Sequence, residues 1–379
     1  MPPVAAEPLP CPPDPRDDGG APTYARYRAL RRFGALDGLR AVSIGAVLWH
    51  HADLRWSWLP LSGRGHLGVS LFFVLSGFLI VTLLLRERED RGRISLKAFY
   101  LRRALRIFPA YYALLAIYAC LFGLARRGPT AEIFFRNLPC YLSYTSNWIE
   151  DPTLLSITWS LSTEEQFYAL WPPIEALTGG AAGGVVAAAL AALALLAGGP
   201  LGELLHGGDP AWSKLLGSID TMFQPILAGV VLAHLLQRPA TFDRIARVLG
   251  RRWSILLPVA ALLVLIGLPG SLGPGRRVAV NACLAAILGA AVIREDHGLA
   301  RLLSLRPLAR IGAVSYGMYL FHMLARDLAT RLLDRAGLLG PWPLLAVMTL
   351  LTLIAAELSF RFLEAPFLRL KTRYSRASA

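Results

Sequence analysis

The feature that most constrains this chain is its repeated apolar runs, each about 17–25 residues long, enough to cross a hydrocarbon core as a helix. Ten such segments are read at 36–54, 67–85, 104–125, 160–178, 183–199, 219–236, 253–269, 277–293, 312–332 and 342–362. Inside lipid, each backbone N–H and C=O must find its partner within the segment, which selects helices. The expected fold is therefore all-α, a polytopic transmembrane helix bundle of about ten spans. The Ala/Gly-rich run at 183–199 is the weakest span, and 131–148 is a possible re-entrant or interfacial segment. Composition agrees: 55% of residues are hydrophobic and only 17% charged, where a soluble chain is closer to about a quarter charged.

The direction of the bundle follows from Lys and Arg, which favour the cytoplasmic side. With the N-terminus inside and ten crossings, the inner segments hold 27 of the 39 Lys/Arg, the outer loops 9, and three (Arg40, Arg326, Arg331) lie within spans. Both termini are thus expected to be cytoplasmic, in a bacterial inner membrane; 36 Arg against 3 Lys hints at a GC-rich genome. The formal charge of +14 is explained by basic inner loops, so no nucleic-acid partner is expected. Residues 1–33 read as a disordered cytoplasmic tail, 34–368 as the transmembrane domain and 369–379 as a basic cytoplasmic tail. No small-residue cleavage site follows the first apolar run, so it is expected to be retained. Cys11, Cys120, Cys140 and Cys283 have no metal or redox spacing, and no metal is expected. The longest outer stretch, about 126–159, is too short for a catalytic domain of its own. Chemistry must then use residues on the spans, where ionisable groups are costly and are functional candidates by default.

The first span reads LDGLRAVSIGAVLWHH. Arg40 and His51 are eleven residues apart, so they share a helix face, about 16 Å apart along the axis, whereas His50 points elsewhere. Arg40 snorkelling to the interface is the plainer alternative. In ISLKAFYLRRALRIFPAYY, Arg102, Arg103 and Arg106 fall three and four apart beside aromatics. Guanidinium forks suit phosphates, though a basic cytoplasmic flank would look the same. In TWSLSTEEQFYALWP, Glu164 and Glu165 stand together near a helix start, with Ser160 and Tyr168 close by. The bland reading is a capping box. The functional one pairs Glu164 with His51 on the outer side for general acid–base work on a hydroxyl. His322 and Arg326 are one turn apart in the ninth span and Glu357 lies in the tenth; for Arg326 and Glu357 a structural ion pair is as good a reading as a direct role. Ser76–Gly77 reads as close helix packing.

Taken together, LDGLR with His51, GVSLFFVLSGFLI, FYLRRALRIFPAYY, WSLSTEEQFYALWP, VSYGMYLFH and FLEAPFLRL resemble, in this order over residues 36–368, the bacterial membrane acyltransferase 3 family of glycan and macrolide O-acyltransferases. The resemblance implies a ten-helix fold and acyl transfer from cytoplasmic acyl-CoA, acetyl-CoA first of all, to a hydroxyl of a glycan or macrolide. It also implies that Arg40 and His51 are an essential pair, that Arg103 and Arg106 form the Arg-x-x-Arg motif, and that Glu164 is the acid of Ser-Leu-Ser-x-Glu, with Glu165 at a more variable place. Ser70 departs from the Asp of many members. No SGNH-type hydrolase domain is appended, so direct transfer to the acceptor is expected.

On this reading His51, Arg40 and Glu164 are catalytic. Arg103, Arg106 and Arg102 hold the CoA phosphates, and His322, Glu165, Ser160 and Tyr168 support them. The alternative is a transporter or flippase whose buried charges relay protons. The inner loop rich in Arg and aromatics, and the lack of inverted repeats, argue against it.

Overall fold

A computed structural model of the chain describes residues 22–30, 32–52, 63–125, 128–149, 155–178, 181–197, 210–270 and 272–370. The described residues form α-helices and short turns and contain no strand. In chain order the helices are α1 Tyr24–Ala29, α2 Ala35–His51, α3 Leu67–Arg91, α4 Leu96–Cys120, α5 Pro129–Leu142, α6 Thr158–Thr178, α7 Ala181–Ala197 and α8 Pro210–Gln237. They continue as α9 Pro239–Leu249, α10 Leu256–Gly267, α11 Pro274–Ile293, α12 Ala300–Leu303, α13 Arg306–Ala313, α14 Ser315–Arg335 and α15 Pro341–Ser359. Local chemistry sets the ends. Ser95 accepts a hydrogen bond from the Ala98 amide at the start of α4, while Gly92 closes α3 in the left-handed region, at φ 72°. Proline opens α5, α9, α11 and α15, where its missing N–H costs nothing.

A helix coincides with each of the ten expected spans, and α5 with a following 3₁₀ turn fills 131–148. Among the described residues, four helical stretches are long and apolar enough to cross a membrane: Leu67–Arg91, Leu96–Gly123, Gly275–Ile293 and Pro341–Leu370. These four mark the chain as a membrane protein. Others fall short for visible reasons: α2 has 17 residues and carries Asp37 and Arg40, and α10 has only 12 residues. The helix α14 carries Arg326, Asp327 and Arg331. Large apolar side chains face outward, among them Leu257, Val264, Leu350 and Leu358, as a lipid-facing surface requires.

Part of the expected disordered tail is ordered. Tyr24–Ala29 is helical and Tyr27 is buried, its ring 5.9 Å from Phe33 and 5.3 Å from Phe242. Burial raises the Tyr27 phenol to about 12. Arg86 lies over the Tyr27 ring and donates to the Tyr27 and Leu30 carbonyls, and Arg28 pairs with Glu89. An aromatic cluster and two guanidinium contacts thus hold what composition alone assigns to disorder. Residues 1–21, 31 and 371–379, the rest of the two expected tails, lie outside the described residues, as does Cys11.

The helix α3 is the central post, packed against α2, α6, α8 and α11. Lipid supplies no hydrophobic push between helices, so close backbone approach at small residues does the joining. Gly77 faces the Ile226 carbonyl of α8, and Gly229 of α8 faces the Val74 carbonyl of α3. A Cβ at either position would collide with backbone, so α3 and α8 interlock at mid-height.

Candidate active site

The arginines of α4 enter the bundle because of where they fall on the helix. Phe99, Ile107, Ala110 and Leu114 are buried, and Arg103 and Arg106 occupy the same stripe at helical spacing. Arg102 is rotated off it and instead pairs with Glu87 at 3.1 Å. The sequence reading grouped the three; the structure separates Arg102 from the other two.

Successive residues of the α6 segment WSLSTEEQFY each meet a different part of the bundle. The Ser160 hydroxyl lies 2.6 Å from that of Tyr319 on α14, and Ser162 lies 2.8 Å from Ser146 on the 3₁₀ turn Ser146–Trp148. Glu164 Oε1 accepts from Ser76 Oγ of α3 at 2.6 Å. Glu165 lies 3.6 Å from Arg103 Nε, and Gln166 and Asn147 exchange amide hydrogen bonds at 3.1 and 2.8 Å. The Arg103 guanidinium sits 3.4 Å from the centre of the Tyr168 ring, a cation–π contact away from water. The capping-box alternative does not hold. The helix begins at Thr158, and Ser160 and Thr163 donate back to the Ile157 and Trp159 carbonyls.

These side chains surround a cavity of about 260 Å³ between α2, α3, α4, α6 and α14, with Arg40, Arg103, Arg106, Ser76, Glu164 and Tyr319 in its wall. Arg40 also donates to Asp37 at 2.6 Å. Arg106 lines the same wall and has no carboxylate within ion-pair distance among the described residues. Accessible from the cavity and without a close counter-ion, this guanidinium is open to an anionic ligand.

His51 is not joined to Glu164 by a hydrogen bond or ion pair. Six residues separate Glu164 from the first residue of α6, which puts it about 9 Å along the helix and inside the bundle. His51 ends α2 with its ring 4.9 Å from that of His322, and its carbonyl accepts from Arg326 Nε at 2.7 Å. Arg326 therefore serves the negative end of α2. His322 is fully buried and its Nδ1 lies 2.6 Å from the Tyr319 carbonyl. A carbonyl only accepts, so Nδ1 carries a proton. The Tyr319 ring is 5.4 Å from that of His322, and its hydroxyl reaches Ser160, one turn before Glu164. A row of side chains, His51–His322–Tyr319–Ser160, leads from the end of α2 to the cavity.

Two participants were missed or misjudged from sequence. Tyr319 precedes His322 by three residues, a spacing that could have flagged a shared face. Ser76 was read as packing; Gly77 beside it does pack, but Ser76 holds Glu164. Glu357 is accounted for by structure, receiving two hydrogen bonds from Arg310 at 2.7 and 2.5 Å.

A second cavity, of about 480 Å³, lies along the same two helices toward the start of α3. Val69 and Phe73 belong to both walls. Phe73 is buried and meets Trp159 edge-on at 5.9 Å, so an aromatic pair stands at the boundary. Ser70 faces this second space.

The family model described as an acyltransferase domain matches residues 33–359, which takes in every one of these residues. The chain belongs to the acyltransferase 3 family. Among curated proteins it is 30% identical over 357 residues to the peptidoglycan O-acetyltransferase of Listeria monocytogenes, covering 88% of this chain and 55% of that protein. It is 28% identical over 364 residues to a protein of Bacillus subtilis provisionally named a peptidoglycan O-acetyltransferase, covering 90% and 56%. A provisionally named O-acetyltransferase of Staphylococcus aureus is 28% identical over 371 residues, covering 91% and 58%. The chain thus spans little more than half the length of these relatives. No solved structure matches it.

Proposed function

We propose that this member of the acyltransferase 3 family is an O-acyltransferase of the bacterial inner membrane, moving an acyl group from acyl-CoA to a carbohydrate hydroxyl. Acetyl is the acyl group that the names of the relatives favour, and the peptidoglycan in two of those names favours a glycan acceptor over a macrolide. The proposed topology is ten crossings with both termini cytoplasmic, which brings Arg40, Arg103 and Arg106 toward the donor's compartment.

The observation that carries this reading is the Arg40–Arg103–Arg106 wall around Glu164 and Ser76. Three guanidinium groups fit the phosphates of a CoA thioester by charge and by bidentate geometry. Arg106, without its own carboxylate, is the first of them to meet an anion. Arg102, tied to Glu87, contributes only to the approach. His51 removes the proton of the acceptor hydroxyl as its oxygen attacks the thioester carbon. The C–S bond breaks, the ester C–O bond forms, and the proton leaves with the CoA thiol. His322 and Tyr319 hold the imidazole in line, and Glu164 keeps Ser76 and the guanidinium wall in register.

The test is purified protein in detergent with radiolabelled acetyl-CoA and an oligosaccharide acceptor. CoA release with label on the sugar is expected. Transport of the acceptor across vesicles without CoA release would overturn the reading in favour of a flippase.

A further inference from the structure

The larger cavity is furnished for a different ligand. Its wall takes His66 and Ser70 from the head of α3, Asn147 from the 3₁₀ turn, Trp159 from α6 and Asn281 from α11. Among the described residues Arg277 is its one guanidinium and no carboxylate lines it. Asn281 is buried and gives one N–H to Gln224 Oε1 at 2.8 Å, which leaves its carbonyl and second N–H available to the space. Asn147 likewise keeps one N–H after its exchange with Gln166. Amides and hydroxyls that both donate and accept are expensive at this depth. They match a ligand whose own hydroxyls both donate and accept, and Trp159 offers a flat apolar face for ring C–H groups. The volume lies in the usual range for a small-ligand site, about 300–1,000 Å³.

From this arrangement we infer that the larger cavity is the acceptor subsite, built for a carbohydrate ring, with Asn281, Asn147, Ser70 and Trp159 setting its specificity. It meets the guanidinium-lined cavity at Phe73, so a sugar hydroxyl at that boundary faces the donor end on. The assignment of the ring as acceptor rests on the O-acyltransfer reading; the assignment of the cavity to a carbohydrate does not.

The experiment measures binding of an N-acetylglucosamine tetrasaccharide and of CoA, separately, to the full chain in detergent. Two variants are compared with the parent: Asn281→Leu, which removes the amide, and Ser70→Trp, which fills the space. Each is expected to weaken saccharide binding by about tenfold or more, the worth of a hydrogen bond or more, with CoA binding held within about twofold. That CoA control separates loss of the subsite from loss of the fold. A parent that binds no saccharide, or two variants that bind it as the parent does, overturns the proposal. Saccharide binding lost in the variants, together with a parent that transfers no acyl group, keeps the carbohydrate site and sinks the donor reading. Undiminished acyl transfer by both variants does the opposite.

Discussion

The two cavities lie in series on α3 and α6 and share Val69 and Phe73, yet their walls differ in kind. One gathers Arg40, Arg103 and Arg106 around Glu164; the other, among the described residues, has Asn147, Asn281 and serines with one guanidinium and no carboxylate. An excess of positive charge in a confined space selects an anion, whereas neutral donors and acceptors select shape and hydroxyl pattern. A single apolar pocket would dissolve a lipid; two unlike polar ones suit a reaction that brings two unlike substrates to one boundary.

From that contrast, the largest losses follow from the charged side. Arg106→Ala should cut acyl transfer by about 10³-fold or more, since a charge-assisted hydrogen bond to a buried anion is lost; CoA binding should weaken with it, and Arg106→Lys should recover part. An Arg106→Ala enzyme with parental CoA affinity would break the comparison. His51→Ala should abolish transfer, by a comparable factor of about 10³, while membrane insertion and CoA binding persist. Next, Glu164→Gln should cost about 10–100-fold in kcat, and Ser76→Ala about tenfold or less, because the hydrogen bond between them positions the wall without reaching the reacting atoms. Rates under saturating donor check this. Arg102→Ala sharpens the boundary of the site: paired with Glu87 away from the cavity, it should change the rate by no more than about threefold.

The smallest effect concerns a residue outside both cavities. His297, in the loop between α11 and α12, is buried and its Nδ1 accepts from the Leu299 amide at 3.3 Å. Burial holds its pKa down at about 4, below an unfolded value of about 6.5. The folded state therefore binds fewer protons, so stability is full above pH 6.5 and falls as the pH drops toward 4. Thermal melts across that window should be flatter for His297→Gln, with transfer at neutral pH unchanged.

Much of this was legible in the residues themselves. Apolar runs locate the helices because lipid leaves the backbone no other choice. The inward turn of Arg103 and Arg106 could be read from their place on the Phe99–Leu114 stripe. Depth was harder: parity put the head of α6 on the outer side, but only the helix start at Thr158 shows that Glu164 lies inside the bundle, against Ser76. The hydroxyl of Ser76 beside Gly77 has two equally good local readings, and the neighbour that decides between them is 88 residues away. Tyr319 was overlooked for the same reason, since its partner Ser160 belongs to another helix. Tyr24–Ala29 escaped notice because six residues carry too little periodicity to stand out from a proline-rich flank.

The interlock of Gly77 and Gly229 has a mechanical corollary. With each glycine seated against the other helix's carbonyl, α3 and α8 can neither slide nor roll past one another; they translate as one beam. Admission and release of bulky molecules must then come from the opposite walls. There α4 and α6 carry Pro109, Pro172 and Pro173, each of which removes a backbone hydrogen bond and softens the rod at that height. The bundle thus sets a stiff spine against two helices weakened by proline.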